Sequence, residues 1–526
     1  NYENGVLNGE WKWYHQNGVL QSVGKCRNGY RVGRWSSYHA NGQLSSTGRH
    51  KPINYIEDSL PSYRLTIKEI YGLSGGYGKH KSFYPNGELK SVGRYRFGFK
   101  VGVWKEYFKG NKLKSTESYS INEKVLNRQI YYENGNLKSD GKLELIEPKE
   151  LGSKSYTKIR QGNWKDYYKN GRLKSSGEYI DGEKEGQWKH LSKNAREKEV
   201  GPYKSGYRQG PWTIYYNQRI RETGNYLDGR KYGLWNKYSY DSVKGKDYIH
   251  ESYMYKNDRR NGEYYKYNRN GEVEKSGKYY NDEKSGVWKS FYEDFKLESI
   301  ITYDKGDFNG KYIKYFHNGD IKGVGNYLND KKEGKWIWYY PNGKISNESY
   351  FKAGKPYGEY LSYHDNGQLK SKRYYVINGV EGWSNHYHAN GQLESSLKFI
   401  NGVATGEYTA YHSSGRLKEV GRYKNGKKEG KWKTFFDVES QMSSVIHYNN
   451  GKEAGDWIRY HENGKIFMLA KWDNGKLIDI STYICSDGNY LDKGTFRDGS
   501  GTINIYNRKN ELVDIWTVLD GVIQPR

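Results

Sequence analysis

Rings and glycines, rather than runs of aliphatic residues, set the pattern of this chain. A unit of about 24 residues recurs, and its cleanest form reads Gly-x-Trp-x-x-Tyr-x-x-Asn-Gly-x-Leu-x-Ser-x-Gly-x-Tyr-x-x-Gly-x-x-x-Gly, as over Gly33 to Gly48 and Gly162 to Gly177. Nineteen lead positions run from Trp11 and Trp35 to Trp457 and Ile503; eleven are Trp and four are Tyr, so the slot demands a large ring. His80, Arg128 and Ser384 depart from it. Such a period signals a stack of supersecondary units, each burying apolar surface only against its neighbours.

Polar and apolar positions alternate on both sides of Asn-Gly, which predicts one antiparallel hairpin per unit with a two-residue type I′ turn. Around Asn170-Gly171 that turn pairs Trp164 with Gly177, Asp166 with Ser175 and Tyr168 with Leu173 on one face. Tyr167 with Lys174 and Lys165 with Ser176 share the other. The first face is the predicted core, the glycine leaving room for the facing indole. The closing Gly-x-x-x-Gly, as at Gly182 and Gly186, reads as tight turns with positive φ. The fold class is therefore all-β: an elongated, solenoid-like stack of antiparallel hairpins forming one long twisted sheet.

Breaks in the period divide the chain into N-terminal repeats (1–49), an insertion (50–77), further repeats (78–141), a second insertion (142–161), the main array (162–464) and a C-terminal repeat and cap (465–526). A shorter irregularity falls between Asp241 and Asp258, and the apolar segment from Leu512 to Val522 is expected to close the last hairpin.

Only 34% of the 526 residues are hydrophobic and mean hydropathy is -1.09, which excludes large spherical cores. The 16% aromatic content argues against disorder. Net charge is +26, and from Ala470 onward seven Lys/Arg meet eight Asp/Glu, so the basic character belongs to the repeats. No apolar run approaches the roughly 18 to 20 residues of a membrane-spanning helix. The sequence opens inside a repeat (NYENGVLNGEW), which reads as a processed or an incomplete N-terminus and leaves room for a removed signal peptide. Cys26 and Cys485 supply neither a disulfide framework nor a cysteine zinc site.

Candidate chemistry is sparse. His15, His39, His364, His388, His412 and His461 share one slot, four residues after the lead, which other units fill with Tyr or Phe; packing accounts for them better than metal ligation. Gly421 to Lys428 approaches a phosphate-binding loop but lacks its Ser/Thr and its helix. No nucleophile, base and orienting group stand together, so neither catalysis nor a cofactor is expected. The remaining signal is the Tyr/Lys face: Tyr107 with Lys114, Tyr131 with Lys138, Tyr167 with Lys174, Tyr315 with Lys322, Tyr363 with Lys370 and Tyr411 with Lys418. It reads either as a solvated face on which lysine stems cover rings or as a track for an anionic partner. Ile53, Ile56 and Leu60 make the first insertion a second candidate contact.

The repeated Gly-x-Trp-x-x-Tyr-x-x-Asn-Gly-x-Leu with its following Gly-x-Tyr-x-x-Gly-x-x-x-Gly resembles the MORN repeat in its bacterial variant form, over nearly the whole chain. Gly494 to Thr502 is closer to the standard form. The resemblance implies a hairpin stack, an interaction or scaffold role and no shared catalytic residues. It also brings antitoxin roles for some bacterial members, an exported envelope character for many others and lipid binding for some eukaryotic ones. The reading is a non-enzymatic elongated scaffold for protein partners in a larger assembly, exported and associated with the cell envelope or outer membrane. The alternative compartment is the cytoplasm, and one alternative function is an antitoxin or immunity-like protein that sequesters a toxin. Another is a peripheral binder of anionic lipid or polysaccharide through the Tyr/Lys face. Nucleic acid is the weakest partner class, because no recognised binding module accompanies the charge.

Overall fold

The computed structural model describes residues 2–52, 74–120, 125–146, 157–377, 379–438, 441–507 and 509–524. Among them every regular element is a strand and every ladder is antiparallel. The chain divides into two units, Asn1–Gly271 and Glu272–Arg526. In the first, strands add in chain order from Gly9–Tyr14 to Arg259–Tyr267. In the second they do so from Val273–Tyr280 to Lys476–Tyr483, followed by a small sheet of Gly501–Tyr506, Leu512–Leu519 and Val522–Ile523. Among the described residues no ladder joins the last strand of a unit to its first, so each is an open stack of hairpins.

Strands Thr157–Tyr167 and Leu173–Ile180 form the hairpin around Asn170-Gly171, with Trp164 facing Gly177 and Asp166 facing Ser175 as expected. Nearer the turn the register departs from expectation: Tyr167 faces Leu173, Lys174 is the extra residue of a bulge, and Tyr168 enters the turn. The N–H of Gly171 donates to the Tyr168 carbonyl at 2.9 Å, that of Tyr168 donates to the Arg172 carbonyl at 2.8 Å, and within the turn only Gly171 has positive φ, 83°. This is a three-residue loop, a type I turn closed by a left-handed glycine, not a two-residue type I′ turn. Asparagine serves here through its side chain. Asn170 Oδ1 accepts the N–H of Arg172 at 3.1 Å, and Nδ2 donates to the Lys193 carbonyl in the next hairpin's turn at 3.4 Å. The type I′ turns lie between units instead, as at Asp181-Gly182 (φ 50° and 85°), flanked by the pair Ile180 and Glu183.

Gly186, with φ 63°, opens a bulge in the following strand. Ser176 faces Lys189 but Glu178 faces Glu185, which leaves Gly186, Gln187 and Trp188 opposite Gly177 alone. Trp188 therefore lies flat on the glycine of the preceding hairpin, where a Cβ would overlap the indole. Its Nε1 donates to the Glu178 carbonyl at 3.1 Å, and Tyr179 meets it edge-on at 5.1 Å and 88°. The space assigned to the facing Trp164 is thus used by the tryptophan one unit later. The same overlap would arise at Gly24 with Trp35, Gly93 with Trp104, Gly224 with Trp235, Gly325 with Trp336 and Gly421 with Trp432.

Most exceptions follow the same steric rule, although Ile446 stands in the glycine's place before Trp457. Where the lead ring is tyrosine, the glycine is absent: Tyr253 faces Tyr264, Ile301 faces Tyr312, Ser349 faces Tyr360 and Leu397 faces Tyr408. Arg128, which replaces a lead tryptophan, meets Glu117 in the glycine's place at 3.2 Å. The irregularity at Asp241 is a longer hairpin, Arg230–Asp241 with Lys246–Lys256, and the strands flanking the second insertion stay paired as far as Ile146 and Thr157. An aliphatic core forms at the C-terminal end, where Phe467, Leu477, Ile480, Phe496, Ile503 and Val518 pack together. The segment from Leu512 to Val522 supplies the second strand of the last hairpin and leaves Leu512, Val513, Ile515 and Leu519 exposed.

Gly224→Ala would drive a methyl into the Trp235 indole. The expected cost is about 1–3 kcal/mol, seen as faster amide exchange across Arg219–Leu227 and Arg230–Asp241. Unchanged exchange and melting temperature in that variant would refute this account of the packing.

Candidate functional site

The core face also carries a recurring cation. Four residues before each of nine lead tryptophans stands a Lys or Arg, in six of them within Gly-x-[Lys/Arg]-x-Gly-x-Trp. The type I′ turn and the bulge aim it inward, between the tryptophan and the next tyrosine. Lys184 Nζ lies 4.4 Å from the Trp188 ring and 4.6 Å from Tyr203; Arg208 lies 4.3 Å from Trp212 and 5.1 Å from Tyr226. Lys284, Lys332 and Lys428 repeat the sandwich in the second unit. Each ring contact contributes about 0.5–1 kcal/mol, more where water is excluded. The recurring basic residue is visible in the sequence, and its even spacing from the tryptophan puts both on one face.

Charge on this face is only partly compensated. Asp166 takes both terminal nitrogens of Arg160, at 3.0 and 3.3 Å. Glu199 pairs with Arg208 at 2.5 Å, Glu222 with Lys231 at 3.0 Å and Glu419 with Lys428 at 3.0 Å. Among the described residues no carboxylate stands within ion-pair distance of Lys184, Lys284 or Lys332. Burial holds all three below the ordinary lysine range, and at Lys184 the charge of Arg208 adds to it.

The opposite face is arranged differently from the expected pairs. Tyr107 faces Leu113, Tyr131 faces Leu137, Tyr167 faces Leu173, Tyr315 faces Ile321, Tyr363 faces Leu369 and Tyr411 faces Leu417. The bulged lysines reach the next aromatic instead: Lys114 lies 5.9 Å from Phe108, Lys138 5.6 Å from Tyr132, Lys174 5.9 Å from Tyr168 and Lys322 5.4 Å from Phe316. Lys114, Lys138, Lys174, Lys370 and Lys418 are exposed. Ile53, Ile56 and Leu60 fall outside the described residues.

The shared His/Tyr slot joins neighbouring units. Tyr168 Oη donates to the Leu191 carbonyl at 2.8 Å and Tyr340 Oη to the Tyr363 carbonyl at 2.8 Å. With the proton on Nε2, His364 donates likewise to the Tyr387 carbonyl at 2.8 Å, His388 to that of Tyr411 at 2.9 Å and His412 to that of Phe435 at 3.0 Å. A ring of either kind that carries a donor to the next hairpin satisfies the slot, which is why the two residues interchange.

Two other histidines are half-buried among rings and cations. His190 stacks on Trp188 (5.7 Å, 18°) and Trp212 (6.1 Å, 15°); burial, with Lys184 and Arg208, lowers its pKa to about 4. His50 is lowered to about 4 by burial, then by His80 and Arg31. The unfolded chain protonates these rings below about pH 6.5, the folded one only near 4. Their contribution is therefore complete above 6.5 and is lost as pH falls toward 4. Screening at partly exposed sites leaves about 1 kcal/mol each. The double variant His50→Phe/His190→Phe should lose less melting temperature between pH 7 and 5 than the parent; equal losses would remove these rings from the titration. His388→Tyr should preserve stability, whereas His388→Phe should cost about 1 kcal/mol. Equal stability of the two by chemical denaturation would show that the donor is not needed.

The family profile of the MORN repeat variant matches residues 7–24, 31–51, 77–96, 100–120, 124–143, 160–181, 332–353, 356–376, 404–425 and 454–474. No curated protein matches the chain. Among solved structures, a Photorhabdus luminescens Tc holotoxin pore aligns at 9% identity over 98% of this chain and 29% of that chain, with a TM-score of 0.13. A TcdB2–TccC3 complex aligns at 11% identity over 95% and 31%, with a TM-score of 0.12. The chain thus spans about a third or less of the length of these proteins, and at such scores neither shape nor function carries over. The ten matched segments lie on the hairpins described above, and the chain is a MORN-repeat protein of the variant type.

Proposed function

We propose that the chain is a non-catalytic interaction scaffold that docks an acidic protein partner along its sheets, as an accessory part of a cell-envelope assembly. The observation that carries this reading is the cation held between rings on hairpin after hairpin, with Lys184, Lys284 and Lys332 lacking the carboxylate that Arg160 receives from Asp166. A partner's Asp or Glu would supply it. The exposed lysines Lys114, Lys138, Lys174, Lys370 and Lys418 extend positive charge to the other face, and the segment containing Ile53, Ile56 and Leu60 is a further proposed contact. The envelope placement is supported by the resemblance of the repeats alone.

Affinity purification from the native source, with cross-linking and mass spectrometry, should recover an acidic protein linked to these lysines. Raising salt toward 1 M, where the screening length falls to about 3 Å, should release it. Combined Lys184→Met, Lys284→Met and Lys332→Met should weaken that complex about tenfold or more. Recovery of lipid or glycan alone, or a complex indifferent to the triple variant, would overturn the reading. A native chain that fractionates with the cytoplasm would remove the envelope part only.

A further inference from the structure

A cavity of about 850 Å³ opens in the second unit beside strand Gly455–Tyr460, walled by Tyr460, Phe467 and Tyr506. At its floor is Arg459, two residues after the lead Trp457, in the slot that Asp166 occupies after Trp164. The guanidinium lies 5.1 Å from the Phe467 ring and 5.7 Å from Trp457. Its cross-strand neighbours are Ser444 and Met468, neither of which is charged. The cation slot of this unit, four residues before the tryptophan, holds Glu453, but that carboxylate is engaged by Tyr448. Charges are therefore exchanged relative to Arg160 and Asp166, yet the pair does not close. Among the described residues Arg459 has neither a carboxylate partner nor a hydrogen-bond acceptor, and burial lowers its pKa.

Beside it in the cavity, Ser443 Oγ and Ser444 Oγ each lie 2.7 Å from Thr434 Oγ1, a cluster of hydroxyls able to turn a proton toward an anion. His461 already binds the Ile484 carbonyl through Nε2 at 2.7 Å, and Glu462 stands exposed at the rim. The volume falls within the roughly 300–1,000 Å³ of small-ligand sites.

We propose that this cavity binds a monocarboxylate with an apolar or aromatic body. The carboxylate takes two guanidinium N–H donors of Arg459 and a hydroxyl of the Ser443, Ser444 and Thr434 cluster, while the body lies against Phe467, Tyr460 and Tyr506. The precedent is internal: Arg160, half-buried on the same face, is satisfied by the two oxygens of Asp166. A phosphate monoester carries about −1.5 to −2 charges, more than one guanidinium balances next to the Glu462 rim. The site is independent of protein docking on the lysine ladder and stands or falls separately from it.

The test is calorimetry on the full chain with phenylacetate, N-acetyl-Gly-Gly-Phe as the free acid and as the amide, and inorganic phosphate. Saturable binding of phenylacetate or of the peptide acid, but not of the amide, is expected. Preference for phenylacetate identifies a small organic acid as the source; preference for the peptide acid identifies a chain terminus. Arg459→Met should lower affinity about tenfold or more. On the unaltered chain, the same acids should slow phenylglyoxal modification of Arg459, followed by peptide mass spectrometry, so the test survives if the variant fails to fold. Binding of phosphate as tight as that of the acids, binding of the amide, or failure of either acid to protect Arg459 would overturn the assignment.

Discussion

The fold depends on an indole laid on a glycine. A strand that must bury tryptophan against another strand needs either wider separation or a missing side chain, and this chain takes the second course. Gly177 clears the space, Gly186 supplies the left-handed residue that bulges the next strand, and Trp188 falls into place with its N–H on the Glu178 carbonyl. Each contact crosses from one unit to the next, so no hairpin completes its own core. That is the physical content of a stack in which stability resides largely at nearest-neighbour interfaces. The tyrosine units show the constraint from the other side: with a smaller ring, Ser349 or Leu397 is accommodated where glycine would otherwise be required.

A core one ring thick also explains how a chain only 34% hydrophobic folds. The volume between tryptophan and tyrosine is filled by lysine and arginine stems, which contribute methylenes while their charged ends lie against ring faces. The arrangement costs desolvation, reflected in the lowered pKa values of Lys184, Lys284 and Lys332, and several units offset it with a carboxylate. Among the described residues, larger apolar clusters form at the C-terminal end, where Phe467, Ile480, Phe496 and Ile503 meet, and, on a smaller scale, around Leu126, Leu143 and Trp164.

Much of this was legible in the sequence. The period gave the hairpins, alternation put Trp164, Ser175 and Gly177 on one face, and interchange of His with Tyr in one slot pointed to packing. Two steps were not legible, for identifiable reasons. Asn-Gly suits a type I′ turn and also a type I turn closed by glycine, and the hydrogen bond that Asn170 donates to the next unit, which accompanies the second form, spans 23 residues. The one-unit offset between Gly177 and Trp188 depends on a bulge of extra residues, and a strict period of two cannot anticipate such a slip. Trp164 does face Gly177 across its own hairpin, as alternation predicts, but the space the glycine clears is filled by Trp188 of the next unit. The inward cation stands at an even spacing from the tryptophan and so shares its face by alternation, but the pattern does not tell that its stem fills the gap between two rings.

The same regularity gives the irregular positions their meaning. Glycine, tryptophan, tyrosine and the half-buried cation fix the geometry of a unit, and the slot two residues beyond the tryptophan is left comparatively unconstrained. It holds Asp166, His190, Ile214, Trp338, Thr434 and Arg459 in different units. Where Asp166 fills it, an inner charge is neutralised; where Ile214 fills it, the face is apolar and buried. Where Arg459 fills it, positive charge faces a cavity instead of a partner. A repeat array of this construction can change its chemistry at one slot without disturbing the Trp–Gly contact that holds neighbouring hairpins together.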